Sequence, residues 1–551
     1  MTVNNSQRIE ISACRLSGFF EALSLSGSEG VTIREMRLED NDHSLMVINS
    51  KNVVIERSLI GRRPRPAEQD NAGAFGVDIS GSDRVTLDHN TLVRNTGTAI
   101  AARNATRLAL TNNIIVGNGW GVFSYAITFS ALFAIFSDIG LSSVLTKEAA
   151  KNPTERHRYF STILAVKLVL IFIVSLAVLF VMPLLTKIPL SRSLVFFVVL
   201  LLIFDSLRNF GCALFRAIEK MEREALANIV TQAVILILGL VVLRKFPSPE
   251  NLALTYAIGS ASGLIVAVFF LAPYLGKIFS YFDRTILKPI INAAWLFGLS
   301  GVLGAVMLNT DIIMIGWFKD ATAVGFYSAA QKPVFLLYMI PSFIAGALFP
   351  SFSRFAQANN EKFRALLEKG LSIVFLLSFP FSIGLFLTSG QVINLLFGVA
   401  YGPAISALQI LSLTFITAYT TALISNAIFA YGRYKIFLGY AAIGALGNVV
   451  LNALLIPLWG ISGAAVATVI TQILSTGYAG FKLKRINNFS ILNYLPKMII
   501  STIIMGVSVI LLRYLNLSVL AIIPIAATIY LTTLVLFKEK MIAQFKTALK
   551  S

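Results

Sequence analysis

From about residue 122 to the end, the chain is a series of long apolar segments separated by short polar loops. Thirteen segments can be counted, near residues 122–143, 160–183, 190–215, 224–243, 251–276, 291–318, 323–350, 370–389, 403–431, 436–457, 461–481, 493–512 and 516–537. A helix needs ~20 apolar residues to cross about 30 Å of hydrocarbon, and nearly every segment reaches that length. The pattern predicts an α-helical polytopic membrane protein.

Composition agrees with this prediction. The chain is 56% hydrophobic and 13% charged, whereas a soluble protein has about 25% charged residues. The net charge of +19 lies mostly in the short loops between apolar segments. Loop cations of this kind set membrane orientation and attract anionic headgroups. We therefore expect membrane lipids as partners, and no nucleic acid.

The loops alternate in charge. Clusters of Lys and Arg fall near residues 147–158, 216–223, 277–288, 354–369, 433–435, 482–485 and 538–550. The opposite loops hold only Lys187, Arg192, Arg244, Lys245, Lys319 and Arg513. This imbalance predicts a multi-pass protein of the cytoplasmic (inner) membrane with its basic loops and C-terminus in the cytoplasm. Thirteen spans then place residue 121 on the outer side.

The apolar part also repeats itself. Gly-Val-Phe-Ser-Tyr-Ala at 121–126 matches Gly-Phe-Tyr-Ser-Ala-Ala at 325–330. Leu-Phe-Arg-Ala-Ile-Glu-Lys at 214–220 aligns with Ile-Phe-Ala-Tyr-Gly-Arg-Tyr at 428–434. Two related bundles in one chain are typical of a transporter whose substrate lies between the halves.

Three stretches carry a family resemblance. Residues 121–158 resemble the second helix and following loop of the polysaccharide (O-antigen) flippases, within the multidrug/oligosaccharidyl-lipid/polysaccharide exporter superfamily. Residues 309–330, with Asn-Thr-Asp-Ile-Ile-Met-Ile-Gly at 309–316, resemble its seventh-to-eighth helix junction. Residues 457–465, Pro-Leu-Trp-Gly-Ile-Ser-Gly-Ala-Ala, resemble a turn between two late helices. The likeness covers about 430 residues.

The resemblance implies a two-lobed, fourteen-helix transporter, of which thirteen helices are visible and the first is lacking. Its substrate would be an undecaprenyl-pyrophosphate-linked oligosaccharide, moved outward by alternating access coupled to a cation, H⁺ or Na⁺. A drug exporter of the same superfamily is disfavoured, because that branch resembles a twelve-helix plan. We expect a transporter and not an enzyme.

Ionisable residues inside the apolar segments are the candidate translocation residues, because each costs ~2.5–3.5 kcal/mol to insert at mid-membrane. They are Asp138, Lys167, Asp205, Arg208, Asp311 and Lys332. Asp311 is the first candidate for a proton or cation site, since no basic residue lies within one turn of it. Arg208, Lys332 and Lys167 would suit a pyrophosphate.

Structural alternatives exist for several of these residues. Asp205 and Arg208 are three apart and could form an intrahelical pair. Lys167 could extend along its helix to the cytoplasmic surface, and Asp138 could serve a helix end. Uncharged polar residues such as Asn448 and Asn452 could hydrogen-bond between helices or line a saccharide path.

No metal or cofactor motif is present. The two cysteines, Cys14 and Cys212, are far apart and lack metal-ligand spacing, so neither a disulfide nor a zinc site is predicted. The three histidines, His43, His89 and His157, all lie outside the apolar segments. We expect no cofactor, no metal and no catalytic residue.

The first 120 residues have a different pattern, an apolar triplet recurring about every 22 residues. The triplets are Ile9/Ile11/Leu16, Val31/Ile33/Leu38, Val53/Ile55/Ile60, Val85/Leu87/Leu92 and Leu108/Leu110/Ile115, with an insertion near 62–66 in the third turn. This period predicts a right-handed parallel β-helix of about five turns, and it resembles the pectate-lyase-like repeats. Asp70, Asp78, Asp83 and Asp88 could serve a saccharide lyase or hydrolase, or be solvated turn residues.

We therefore predict two domains, a β-helix fragment over 1–120 and a flippase domain over 121–551. No secretory signal is recognisable before the β-helix, so its route to the outer side is not evident. Two alternatives stay open: a membrane-anchored polysaccharide-modifying enzyme that uses the β-helix, and an inactive chimeric chain.

Overall fold

The computed structural model describes residues 1–537, except 18, 20, 40, 42, 62–74, 89–90, 94–99, 104–105, 107–108, 112–113, 117–118, 247, 277, 491–494 and 516. The chain divides into two compact units, Met1–Trp120 with Ile393–Pro403 and Gly121–Val392 with Ala404–Ser551. The insertion near 62–66, Asp70 and the basic tail lie outside the described residues.

Short strands make up the first unit. They are β1 Thr2–Asn4, β2 Glu10–Ser12, β3 Arg15–Ser17, β4 Glu21–Ser26, β5 Thr32–Arg34, β6 Arg37–Glu39, β7 His43–Ile48, β8 Lys51–Glu56, β9 Leu59–Gly61, β10 Phe75–Ser80, β11 Asp83–Asp88, β12 Thr91–Val93, β13 Ile100–Arg103, β14 Ala109–Thr111 and β15 Ile114–Val116. They form three parallel sheets with orders β1-β4-β7-β10-β13, β2-β5-β8-β11-β14 and β3-β6-β9-β12-β15. Each turn of the chain thus gives one strand to each sheet.

The register of this stack is the one that the triplets predict. Ile11 pairs with Ile33, and Ile33 pairs with Ile55. Leu38 pairs with Ile60 in the neighbouring sheet. Because side chains alternate between the two faces of a strand, one face of every turn is apolar and packs on the next, and Ile33, Ile55 and Leu38 are fully buried.

The recurring triplets did not predict the strands of the sheet that contains β4, β7 and β10. Its interior residues include Leu25 and Val47, which are also fully buried. A serine ladder follows these strands: the Ser28 N–H donates to Ser50 Oγ at 3.2 Å and the Ser50 N–H to Ser82 Oγ at 3.1 Å. These bonds satisfy backbone groups that the turn would otherwise bury without a partner.

Helices form most of the second unit. They are α1 Gly119–Ala134, α2 Leu141–Lys151, α3 Arg156–Leu185, α4 Arg192–Ala217, α5 Met221–Lys245, α6 Pro249–Leu275, α7 Leu287–Phe318, α8 Ala321–Ala358, α9 Asn360–Phe397, α10 Ala404–Ser412, α11 Thr414–Ala430, α12 Tyr434–Asn487, α13 Leu495–Tyr514 and α14 Val519–Leu536. In the described part of the chain, 11 helices are long and apolar enough to cross a membrane, or up to 12 if α10 and α11, bent by 42°, are one span.

Helix α12 holds two of the predicted spans, 436–457 and 461–481. Its 54 residues would extend ~80 Å as one straight helix at ~1.5 Å per residue. The helix is broken at Gly460, where φ is 58° and ψ is −135°. A Cβ on Gly463 would lie 2.2 Å from the Leu455 carbonyl oxygen, so the chain folds back on itself. The number of membrane crossings stays a prediction.

The first predicted span, 122–143, is wrong in its second half. Helix α1 ends at Ala134 and a short 3₁₀ turn covers Ile135–Ser137. The chain then turns at Gly140, where φ is 81°, into α2. A positive φ is free of steric cost for glycine, so this position can redirect the chain before the first basic loop.

Outer faces of the helices are apolar. On α3, Phe172, Phe180 and Leu184 are 64%, 69% and 83% exposed. An exposed apolar surface of this size marks a contact with lipid or protein, and the lengths of the helices favour lipid. The second unit is therefore a multi-pass membrane protein.

The two copies of the first repeat meet each other. A Cβ on Gly121 of α1 would lie 1.6 Å from the Ala321 carbonyl oxygen and 3.0 Å from the Gly325 nitrogen of α8. One turn further along, Ser328 Oγ donates to Ser124 Oγ at 3.2 Å. Equivalent positions therefore contact each other, as in two lobes related by an approximate twofold axis.

The second repeated motif lies at equivalent helix ends, but its sequence alignment is wrong by one residue. Helices α4 and α11 both end with a left-handed residue, Glu219 (φ 59°) and Gly432 (φ 67°). In each, the next N–H reaches back five residues, from Lys220 to Phe215 and from Arg433 to Ile428. This Schellman cap makes Glu219 equivalent to Gly432, whereas the sequence alignment pairs Glu219 with Arg433.

Residues 276–286 join α6 to α7, and they are held to the start of α3. Arg158 forms an ion pair with Asp283 at 2.6 Å, and the Asp283 N–H donates to Thr162 Oγ1 at 3.0 Å. Hydrogen bonds from the Thr285 N–H and hydroxyl, together with the Arg158 guanidinium, hold the pKa of Asp283 below its usual value. The connection between the two repeats is thus anchored to the first.

Candidate functional site

Asp311 on α7 is the centre of a buried polar cluster, and it is 3% exposed. It accepts hydrogen bonds from Tyr327 Oη at 2.5 Å, Asn448 Nδ2 at 3.0 Å, Asn452 Nδ2 at 2.7 Å and Thr468 Oγ1 at 2.7 Å. Each carboxylate oxygen thus receives two hydrogen bonds. The functional role of Asp311 stays a prediction.

Three helices bring these groups together. Tyr327 lies in the first two turns of α8, and Asn448 and Asn452 lie four residues apart on one face of α12. Thr468 follows the break at Gly460, so the returning half of α12 places its hydroxyl against the same carboxylate. The sequence reading missed Tyr327 and Thr468, and treated the two asparagines only as interhelical or path-lining residues.

All four donors to Asp311 are uncharged, and none of the described residues forms an ion pair with it. A buried carboxylate that has no counter-charge is a candidate ligand for a bound cation. Carboxylate, amide and hydroxyl oxygens are ligands for hard cations. Asn452 Oδ1 is buried without a hydrogen-bond partner, so one such oxygen is available beside Asp311.

Two cavities adjoin this cluster. A cavity of about 40 Å³ is lined by Asp311, Gln331, Thr468 and Gln472, among others. Since a water needs ~10–15 Å³, there is room for a few waters. A larger cavity of about 570 Å³, which is broadly open to the surface, lies between α7 and α8 and is lined by Leu308, Asn309, Phe335, Tyr338, Met339, Ser342 and Phe343. Leu308, Phe335 and Tyr338 line both cavities.

Lys167 and Asp138 form an ion pair in the other repeat, with Nζ 2.5 Å from Oδ1. Lys167 is 1% exposed and Asp138 24%, so the alternative that Lys167 extends to the cytoplasmic surface is wrong. Its ammonium is directed inward because Asp138 is its partner and the Phe210 ring lies 5.7 Å from it. Asp138 also accepts from Ser142 Oγ at 2.5 Å, as expected for a residue at a helix start.

Arg208 and Asp205 form the intrahelical pair that their spacing predicts, at 2.5 Å. Arg208 also donates to Thr231 Oγ1 of α5 at 2.7 Å. Asp205 also accepts from Asn209 Nδ2 at 2.9 Å and from Ser260 Oγ of α6 at 3.2 Å. The pair therefore joins three helices, and its carboxylate is 43% exposed.

The structure does not bring all six predicted residues together. Lys332 lies on α8 with an exposed side chain, and it is not one of the partners of Asp311. Asp138 with Lys167 and Asp205 with Arg208 form two further, separate pairs. The described part of the chain contains no group of three or more His, Cys, Asp or Glu that could hold a metal ion.

Among the described carboxylates that were predicted for a saccharide site, Asp83 and Asp88 do not form a close pair. Asp83 and Asp88 stand at the two ends of β11, so ~16 Å separates them at ~3.3 Å per residue. Glycosidase carboxyl groups lie about 5–9.5 Å apart. Asp83 instead accepts from Thr106 Oγ1 at 2.5 Å, and Asp78 is buried in β10.

The fold and the buried carboxylate define a polytopic helical membrane protein with two internal repeats, preceded by a parallel β-solenoid. Residues 105–356 match the family described as polysaccharide biosynthesis protein. Residues 1–133 match the right handed beta helix region. The resemblance predicted from the sequence is confirmed for both parts.

Relatives with similar sequences are described as flippases and transporters. The chain is 28% identical to the probable flippase AglR of Haloferax volcanii over 174 residues, 30% of this chain and 36% of that protein. It is 23% identical to the probable low-salt glycan biosynthesis flippase Agl15 of the same organism over 363 residues, 65% of this chain and 74% of that protein. It is 28% identical to the putative O-antigen transporter of Shigella flexneri, over 35% of this chain and 45% of that protein.

Solved structures support the fold. The lipid II flippase MurJ in an inward closed conformation superposes with a TM-score of 0.67 at 17% identity, over 77% of this chain and 94% of that one. An inward-facing multidrug resistance MATE family transporter superposes with a TM-score of 0.53 at 14% identity, over 68% of this chain and 92% of that one.

Proposed function

We propose that the chain flips a lipid-linked oligosaccharide across the cytoplasmic membrane for polysaccharide biosynthesis. The observation that carries this proposal is the buried Asp311, which has only uncharged donors and lies beside a cavity of about 570 Å³. The flippase descriptions of the relatives support the substrate class. Undecaprenyl pyrophosphate as the carrier follows from the family resemblance.

Cation binding at Asp311 would couple to transport through α8. Tyr327, near the start of α8, donates to Asp311, and Phe335 and Tyr338, further along the same helix, line both cavities. When Asp311 binds H⁺ or Na⁺, its carboxylate no longer requires all four hydrogen bonds. The helices that carry the donors, α8 and α12, are then free to shift. The wall of the larger cavity then changes with the charge state of Asp311.

For the pyrophosphate, Lys332 and Arg208 are the proposed partners. Lys332 is exposed, and Arg208 Nε is buried without a hydrogen-bond partner. A guanidinium can bind phosphate oxygens with two N–H groups at once. Lys167 is the third proposed partner; its ammonium pairs with Asp138, as the Arg208 guanidinium pairs with Asp205, but Lys167 has no further N–H group recorded without a partner.

The wider organisation is part of the same proposal. Thirteen helices of a fourteen-helix plan span residues 121–551, the basic loops and the C-terminus face the cytoplasm, and the β-helix covers residues 1–120. The loop charges support this orientation.

Polysaccharide export tests the proposal in cells that lack their own flippase and depend on this chain. We expect Asp311→Asn to abolish export while the protein still inserts, because the amide carries no negative charge and binds a cation more weakly than the carboxylate does. Glu361→Gln, which removes one negative charge at an exposed residue, is the matched control and is expected to export normally. Normal export by Asp311→Asn would remove Asp311 from the mechanism.

A further inference from the structure

We infer that a polar seam between α11 and α12 is the path by which the coupling cation moves between Asp311 and Thr476, in the direction of the basic end of α12. The polar seam consists of Thr414, Thr417, Thr421, Thr468, Gln472 and Thr476. This inference rests on the proposed function, because it assumes that Asp311 binds a cation. It adds a route, which the site itself does not define.

Spacing places the seam residues on two facing surfaces. Thr468, Gln472 and Thr476 recur every four residues on α12 and so share one face. Thr417 and Thr421 are likewise four apart on α11. The faces are joined by hydrogen bonds, from Thr417 Oγ1 to Gln472 Oε1 at 2.8 Å and between Thr421 Oγ1 and Thr476 Oγ1 at 2.6 Å.

The seam begins at the cation site. Thr468 Oγ1 donates to Asp311 Oδ2, and Gln472 lines the cavity of about 40 Å³ that contains Asp311. Tyr338, which lines both cavities, is hydrogen-bonded to Thr414 at the first turn of α11. Polar oxygens therefore continue from the carboxylate into the space between the two helices.

From Thr468 to Thr476 the seam advances ~12 Å along α12, at ~1.5 Å per residue. It points toward the helix end that carries Lys484 and Arg485, which the loop charges place in the cytoplasm. Successive oxygens lie about one helical turn apart. Because two oxygens this far apart cannot ligate one small cation together, water between them would have to complete its coordination as it passes from one to the next.

The seam is not sealed in the way that a purely structural contact would be. Four of its six residues, Thr417, Thr421, Thr468 and Gln472, are partly buried, whereas Thr414 and Thr476 are 0% and 8% exposed. Lipid does not account for this accessibility, since the lipid-facing residues of the same helix, Ile473 and Leu474, lie on other faces and are 54% and 56% exposed. Partial exposure between two helices indicates room for water along the seam.

Cysteine accessibility tests this inference in the full chain, with Cys14→Ser and Cys212→Ser as background. Thr421→Cys and Thr476→Cys are treated in membranes with a small cationic methanethiosulfonate. We expect both to react at least ~10-fold faster than the lipid-facing control Leu474→Cys, because the reacting thiolate forms only where water reaches it. The coupling cation is supplied as Na⁺, or as H⁺ by lowering the pH. It should slow the reaction of these cysteines more in the protein that keeps Asp311 than in the one that also carries Asp311→Asn.

Reaction rates at both positions as slow as that of Leu474→Cys would overturn the route, and the two hydrogen bonds would then be dry helix contacts. That result would leave the proposed function standing if Asp311→Asn still abolishes export. Conversely, normal export by Asp311→Asn would refute the cation site, regardless of the reaction rates of the cysteine variants. As a second readout, Thr421→Val with Thr476→Val should slow export at unchanged equilibrium cation binding.

Discussion

At the scale of single residues, the acidic residues inside the apolar segments have two kinds of partner. Asp138 and Asp205 each have a basic partner at 2.5 Å. Asp311 has four uncharged donors instead. An ion pair can remain intact through a transport cycle, whereas an isolated carboxylate gains most from binding a cation. This difference separates Asp311 from the other predicted residues.

Sequence reading could find the ionisable residues but not their partners. The Asp205–Arg208 pair follows from a spacing of three on one helix. The Lys167–Asp138 pair joins residues 29 apart, and the donors Asn448 and Thr468 are 137 and 157 residues from Asp311. The contact with Thr468 depends on how α12 folds back at Gly460. The turn at 457–465 was predicted, but the side chains that it brings to Asp311 were not.

The Lys167–Asp138 pair leads to an asymmetric prediction. Asp138→Asn leaves an ammonium that is 1% exposed without its partner, and losing one partner of a buried pair costs ~3–5 kcal/mol. Lys167→Met leaves a carboxylate that still has Ser142 and some exposure, so it should cost less. Thermal unfolding of the purified protein measures both changes.

The double variant Asp138→Asn/Lys167→Met serves as the control. It should be more stable than Asp138→Asn alone, since neither charge is then buried unpaired. Equal destabilisation by the two single variants would contradict this account of the pair.

At the scale of elements, helix starts and ends were harder to predict than helices. The apolar lengths predicted the helical segments, but the bend between α10 and α11 and the early end of α1 depend on packing. In the first unit, two strands of each turn were predicted in register. The third was missed because residues such as Leu25 and Val47 fall outside the recurring triplet.

Helices α1 and α8 cross in close contact at Gly121 and Gly325. If transport requires the repeats to separate there, a covalent link should stop it. Ser124→Cys/Ser328→Cys, in the Cys14→Ser/Cys212→Ser background, replaces two side chains whose oxygens are 3.2 Å apart. We expect oxidation to link them and to halt export, and a reductant to restore it.

The single variant Ser124→Cys, oxidised in the same way, controls for loss of the hydroxyl. Full export by the cross-linked protein would show that the crossing does not open during transport.

At the scale of the whole molecule, the loop charges predict that the β-helix is on the outer side. Cys14 is exposed and Cys212 is buried, so the native cysteines can report on this. In intact spheroplasts of the Cys212→Ser variant, we expect a membrane-impermeant maleimide to label Cys14. Labelling only after permeabilisation would place residues 1–120 in the cytoplasm, and would exclude a saccharide-modifying role on the outer side.

The central claim is that Asp311 holds the coupling cation, and direct binding to the purified protein tests it. ²²Na⁺ binding is measured at fixed pH, and proton release on Na⁺ addition is followed with a pH dye, for wild type, Asp311→Asn and Glu361→Gln. We expect saturable Na⁺ binding, with or without Na⁺-induced proton release, in wild type and Glu361→Gln, and Na⁺ binding weakened at least ~100-fold (about 3 kcal/mol) in Asp311→Asn. Unchanged cation binding in Asp311→Asn would contradict the account.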